Sequence, residues 1–364
     1  MSKTLTPAEV LMRPSPLILT ATLEPVAGDR FQPAGFPEIG HVIYKAPRKD
    51  DTVEQVCIVD SAASMANHLE SVCRRGAHDL DLVAELDGLP YLRCVTNRDE
   101  GAEPTSEREV VVTSLTEGHR IASSYFLDGF PMVGDTKATH SFDHDLIKKF
   151  GIVLPKGKKA HPPASQWWNV FDTIFALDPN SLVHGVLFPQ WQIKIPRALT
   201  AHLEAFGAGR VDRSGVKFDR LGKTTSGQPI FAIDDATAES IRATFVLDVG
   251  LVRSFGRKKN DEQLGLSDER QELLVALALW KVQKLLEQPF RYRSGCHLRR
   301  TALQSEGEDI VLAVDIKNAI KEADFREQPI TDVFWPREEL YREGADSGDE
   351  PDEDEDAAEG EDDE

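Results

Sequence analysis

The chain predicts an α+β fold: an antiparallel sheet with helices on one face. Two observations carry this expectation. Short β-branched runs alternate with segments of helical apolar spacing, yet several of the runs come as hairpin-like pairs with no helix between them. The chain also has 364 residues, 40% of them hydrophobic, enough for one large domain or two ordinary ones. A β-α-β-β-α-β unit fits the pattern, and a chain this long requires large insertions within it.

Residues 17–24 read as the first strand, ended by Pro25. A turn-rich loop, Gly28-Asp29-Arg30-Phe31-Gln32-Pro33-Ala34-Gly35-Phe36-Pro37, leads to short strands at 41–44 and 56–59. Residues 59–75 form the most informative stretch. Asp60 or Ser61 caps a helix there, and Ala62, Met65, Ala66, Leu69, Val72 and Cys73 fall on one face. The other face, Ser64, Asn67, His68, Ser71 and Arg74, is small and rich in donors. Such a face suits a polar, extended ligand, with a phosphodiester backbone as one candidate.

Strands are expected at 92–95 and 110–113, with a polar insertion at about 96–107 between them. The basic stretch at about 134–163 holds Lys148, Lys149, Lys156, Lys158 and Lys159 and reads as a projecting loop or hairpin. Residues 167–176 predict a helix closed by Asp178-Pro179, 182–188 and 192–195 strands, 198–206 a helix, and 245–252 a strand. Gly207-Ala208-Gly209 then reads as a helix end. Residues 267–287 are the clearest helix, with Ser267 as cap, Asp268 and Glu269 in the first turn and Pro289 as the stop. Strands at 290–298 and 310–314 follow. The domain reading is a single unit over 1–342 and a disordered tail over 343–364.

The tail carries 14 acidic groups and no basic one, so the formal charge of −20 misrepresents the body, where 48 acidic groups face 42 basic ones. The tail reads as a solubilising segment, or as a nucleic-acid mimic competing for a basic groove. The four cysteines are scattered, which argues against a structural zinc site and a disulfide framework. No apolar run spans a membrane and no apolar secretory segment opens the chain, so a cytoplasmic protein with no membrane partner is expected.

Phosphate-loop, nucleophile-elbow and dinucleotide motifs are absent. His140 and His144 have i, i+4 spacing, but no metal or cofactor is expected from spacing alone. His184, flanked by apolar residues, reads as a satisfied, half-buried histidine, and Arg197 with His202 offers acid–base chemistry without a locatable partner. Residues 251–259, with Arg253, Arg257 and Lys258, and 291–300, with Arg291 and Arg293, hold bases and aromatics without an acid. Both suit phosphate contact plus base stacking in one polyanion groove, and Arg291 and Arg293 alternate along a strand.

The loop Gly28 to Gly40, the run Asp60-Ser61-Ala62-Ala63-Ser64-Met65-Ala66-Asn67-His68-Leu69-Glu70, the segment Asp178 to Val186, Ile195-Pro196-Arg197-Ala198-Leu199, Ser214-Gly215-Val216-Lys217, and residues 245–256 and 290–298 occur in an order that resembles a known family. That family is the backbone subunit of the type I-G (formerly type I-U) CRISPR Cascade, within the RAMP superfamily. The resemblance covers about residues 17–300. It implies an RRM-like (ferredoxin-like) palm with insertions acting as thumb and fingers. It also implies several copies polymerised along CRISPR RNA, the guide presented to target DNA, and contacts to other Cascade subunits. Cleavage then belongs to a separate helicase–nuclease and guide processing to another subunit, so no catalytic residue is expected. Arg30, Asn67, His68, Arg253, Arg257, Lys258, Arg291 and Arg293 are the expected RNA contacts, with Arg197 and Lys217 as weaker ones. The chain departs from the family's first-helix motif at His68, where Arg is frequent. Two rival readings are an endoribonuclease of the same superfamily, using His184 or His68, and a protein-interaction scaffold.

Overall fold

The computed structural model describes residues 2–35, 40–152, 162–211, 235–325 and 329–341. Lys217, Lys156, Lys158, Lys159 and the acidic tail lie outside the described residues. The fold is mixed α+β. The strands that organise it are β1 (Leu17–Pro25), β2 (Val53–Asp60), β3 (Leu199–Phe206), β4 (Ser240–Leu247), β5 (Phe290–Arg293) and β6 (Cys296–Ser305). Two helices pack on them, α1 (Ala62–Ser71) and α2 (Asp268–Glu287).

The large sheet runs in the order 3–5, 308–312, β6, β1, β4, β3, β2, 43–47, with β5 hydrogen-bonded to β6. Within it, β6, β1, β4 and β3 are antiparallel neighbours. In chain order these elements read β1, α1, β3, β4, α2, β6, so β6, the last of these strands, lies beside β1, the first. Burial alternates along each strand. Leu17, Leu19, Ala21 and Leu23 of β1 and Leu199, Ala201, Leu203 and Ala205 of β3 point to the helices. Thr20, Thr22, Thr200, His202, Arg242 and Thr244 lie on the opposite, solvated face.

Helix α2 is capped as its sequence demands, Ser267 Oγ accepting from the Arg270 amide. It is buried on all sides from Leu273 to Val282, including Lys281. A second sheet orders 108–113, 91–97, 330–335, 130–133 and 136–137, with the 330–335 strand parallel to 91–97. The polar insertion between the first two strands winds around the buried Asn97, whose amide donates to the Gly101 and Glu103 carbonyls and accepts from the Thr105 amide.

Several expectations are corrected. Residues 199–206 form a strand because Leu199, Ala201, Leu203 and Ala205 satisfy a period of two. Burial against the helices overrides the helix propensity of Ala, Leu and Glu. The Gly207-Ala208-Gly209 step is accordingly a turn between strands. Residues 179–184 form a helix with Pro179 in its first turn, and only 186–188 are strand. The 245–252 run splits after Leu247. Asp248 accepts from the Leu251 amide and caps a helix, Val249–Ser254. Within the basic 134–163 stretch, Phe142–Phe150 is a helix that buries Phe142, Leu146 and Phe150, so this part does not project as an extended loop. Burial pushes the thiol of Cys73 up to about 11 and those of Cys57, Cys94 and Cys296 to about 12, and all four are unpaired. No helix among the described residues is long and apolar enough to cross a membrane.

Candidate nucleic-acid interface

The C-terminal end of β2 is where distant parts of the chain meet. The Ala34 amide donates to the Val59 carbonyl, which brings in the 28–35 loop. The Gln32 amide donates to Gly295, in the turn between β5 and β6, and so ties that turn to the same loop. Helix α1 follows directly, with Ser61 as cap accepting from the Ser64 amide.

Asp60 is the hub. Its side chain is 1% exposed. Oδ2 accepts from His68 Nε2 at 2.9 Å and Ser64 Oγ at 3.1 Å, while Oδ1 accepts from the Ser61 amide at 2.9 Å and pairs with Arg293 Nη2 at 2.7 Å. Burial alone raises this carboxyl, but the hydrogen bond with His68 and the charge of Arg293 outweigh it, so its pKa lies below the ordinary value. Phe290 and Tyr292 meet the His68 ring edge-on, at 5.3 and 5.4 Å between centroids. Asn67 stands exposed one residue earlier on α1.

The inner face of α1 is held by a second, fully buried network. Glu70 receives two parallel bonds from Arg120, at 2.7 and 2.9 Å, and one from Asn180 Nδ2 at 2.6 Å. Asn180 in turn accepts from the Lys281 ammonium of α2. Arg120 Nη1 also donates to the Gly185 carbonyl at 3.2 Å. Gly185 has a φ of +80°, and a Cβ there would stand 2.8 Å from the Ile195 carbonyl, so only glycine lets these backbones approach. Beside this network Asp178 Oδ2 accepts from Ser181 Oγ at 2.7 Å, and burial pushes its carboxyl up to about 7. His184 is 1% exposed, with no hydrogen bond at either ring nitrogen among the described residues. Burial, then the charges of Lys281, Arg120 and Arg197, holds its pKa well below the ordinary value. The expectation of a satisfied, half-buried histidine is therefore corrected.

The predicted contact residues divide into two groups. Asn67, His68, Arg197, Arg291, Arg293 and Arg30 gather around the β2 end. Exposed Arg197 lies 3.4 Å from the Ala62 carbonyl at the start of α1. Exposed Arg291 lies opposite His297 across the β5–β6 hairpin. Arg30 is exposed in its loop, 3.7 Å from Asp235. Arg291 and Arg293 do not share one role: a register shift separates them, and Arg293 is drawn inward to Asp60.

The other basic cluster sits elsewhere. Arg257 and Lys258 are exposed on the Gly256–Lys259 strand, and Lys258 is 3.3 Å from Asp268, the first residue of α2. Phe290 follows the last turn of α2, so the length of that helix, about 30 Å, separates the two clusters. They do not line one groove. Arg253 faces inward, its Nη1 donating to the Leu11 and Arg13 carbonyls at 2.7 and 2.6 Å, and closes the end of an N-terminal helix rather than a ligand surface. His140 Nε2 lies 2.8 Å from Asp145, and among the described residues no three His, Cys, Asp or Glu side chains gather as a metal site.

Residues 17–210 match the family model described as CRISPR-associated protein GSU0053. The match covers more than half of the 364 residues. The chain belongs to the CRISPR-associated GSU0053 family. The crystal structure of Thermofilum pendens Csc2 is similar at 12% identity and a TM-score of 0.30, over 88% of this chain and 76% of that one. No curated protein matches the chain.

The stretch that defines membership of the GSU0053 family contains the 28–35 loop, Asp60, all of α1, Arg120, Asn180 and Arg197, and stops before both downstream basic clusters. Sequence reasoning finds the polar face of α1 but misses its supports. It marks Asp60 only as a helix cap, and no local pattern singles out Glu70, Arg120 or Asn180. One further signal is legible: Lys281 interrupts the apolar run Leu279-Trp280-Val282 inside the clearest helix, and a lysine in such a place needs a buried partner.

Proposed function

We propose that this CRISPR-associated chain is a non-catalytic backbone subunit of a type I-G Cascade, working in the cytoplasm. Copies polymerise along the CRISPR RNA spacer and hold the guide for base pairing with target DNA, in contact with the other Cascade subunits. The observation that carries this reading is the convergence of Asn67, His68, Arg197, Arg291, Arg293 and Arg30, from separate segments of the chain, around the end of β2. Cations there neutralise phosphates, and small polar residues let a backbone approach; base pairing, not protein, reads the sequence. The strand order β6, β1, β4, β3 with α1 and α2 supports a ferredoxin-like palm. Burial keeps His184 from any substrate, which leaves the endoribonuclease reading with His68 alone.

The protein purified from cells that express a CRISPR array is expected to carry RNA in a ladder of oligomers and to leave repeat RNA intact with or without divalent metal. The double variant Arg197→Ala, Arg291→Ala is expected to bind guide RNA more weakly and with a flatter salt dependence, by about 0.7 in slope for each phosphate no longer neutralised. Unchanged affinity of that variant at low and high salt would overturn the site. Cleavage by the purified chain would establish the endoribonuclease instead, and preparations without nucleic acid would establish the scaffold.

A further inference from the structure

We propose that Asp60 is a positioning residue that makes His68 an acceptor for a ribose 2′-hydroxyl, so that the site selects RNA over DNA. The inference rests on the nucleic-acid reading above and deepens it.

An ionised Asp60 only accepts, and its position among His68, Ser64, the Ser61 amide and Arg293 uses both oxygens twice. The hydrogen between Asp60 and His68 therefore sits on Nε2. In a neutral imidazole the other nitrogen, Nδ1, is then an acceptor. Nδ1 makes no hydrogen bond among the described residues, and the His68 side chain is 17% exposed. A phosphate oxygen offers no hydrogen to such an acceptor, whereas a 2′-hydroxyl does.

The pairing is held by further contacts. Ser64 Oγ lies 3.3 Å from the same Nε2, and the Phe290 and Tyr292 rings close the ring in edge-on. Arg293 lies on the other oxygen of Asp60, so its charge is largely cancelled locally. This corner of the site thus contributes geometry more than counterion release. The exposed cations Arg197 and Arg291 supply the sequence-blind attraction to any phosphodiester.

The test compares a single-stranded guide-sequence RNA with its all-deoxy and 2′-O-methyl counterparts at pH 8. The wild-type chain is expected to bind RNA more tightly than either analogue. Asp60→Asn removes a negative charge beside Arg293, so simple Coulomb attraction would tighten binding of all three. The positioning role instead requires RNA affinity to fall by about 2- to 10-fold, the range of one neutral hydrogen bond, with the RNA-to-DNA ratio narrowing and the salt slope unchanged. His68→Ala, which leaves the buried carboxylate its other partners, is expected to narrow the ratio equally, and the double variant to lose no more than either single one. This second variant decides the matter if Asp60→Asn melts early. A wild-type chain that binds RNA and DNA alike, or a ratio unmoved by His68→Ala, overturns the inference and leaves nucleic-acid binding standing. A wild-type chain that binds none of the three at low salt overturns both.

Discussion

Asp178 shows how far burial sets the chemistry of single residues here. Burial pushes its carboxyl up to about 7, against the hydrogen bond from Ser181, while nearby Glu70 adds to the rise. In the unfolded chain an aspartate titrates near 4. Between those values the native state holds the proton that the unfolded state has lost. Stability is therefore fully present below about pH 4 and falls as the pH rises towards 7. Asp178→Asn keeps an oxygen acceptor for Ser181 and removes the ionisation. It is expected to be close to neutral in urea unfolding at pH 4.5 and stabilising at pH 8, by no more than about 4 kcal/mol. An equal effect at both values would disprove the assignment. Glu70 is ion-paired and hydrogen-bonded at every oxygen, and stripping one member of such a buried pair costs about 3–5 kcal/mol. The polar face of α1 is legible at this scale because small donors replace the usual Glu and Lys. Its partner Arg293 is not, since it lies in a distant part of the sequence.

At the scale of elements, α1 and α2 are readable because cap and periodicity agree within each segment, and in α2 the stop signal agrees as well. The 199–206 strand is not. Its letters favour a helix, and only its place between β2 and β4 makes the period of two decisive. The hairpin of Gly256–Lys259 with Glu262–Gly265 is a further element defined by packing. A Cβ on Gly256 would overlap the Leu266 carbonyl, just before the Ser267 cap of α2. Gly256→Ala is expected to destabilise by at least about 1–3 kcal/mol, because backbone rather than a flexible side chain must give way. Thermal melting would measure it, and a melting temperature equal to wild type would show that the turn relaxes without cost.

For the whole molecule, the two basic clusters that look alike in sequence prove to be different objects. One lies at the end of β2 beside α1. The other lies at the far end of α2, where Asp268 partly neutralises it. Charge also acts over the entire chain. Removing 343–364 takes away 14 acidic groups and brings the net charge from −20 to −6. Such a truncation is expected to raise RNA affinity at low salt, and the gain should disappear near about 0.5 M salt as screening shortens to a few ångströms. A gain that persists at high salt would point to a specific contact of the tail instead. The sequence by itself determined the α+β class, the main helices, the donor-rich face of α1 and the CRISPR-associated character of the chain, because each rests on neighbouring residues or on their order. Only the tertiary structure decided which cations share a surface. It also decided that His68 and Arg293 meet on one buried carboxylate, since strand order brings together residues that no local pattern relates.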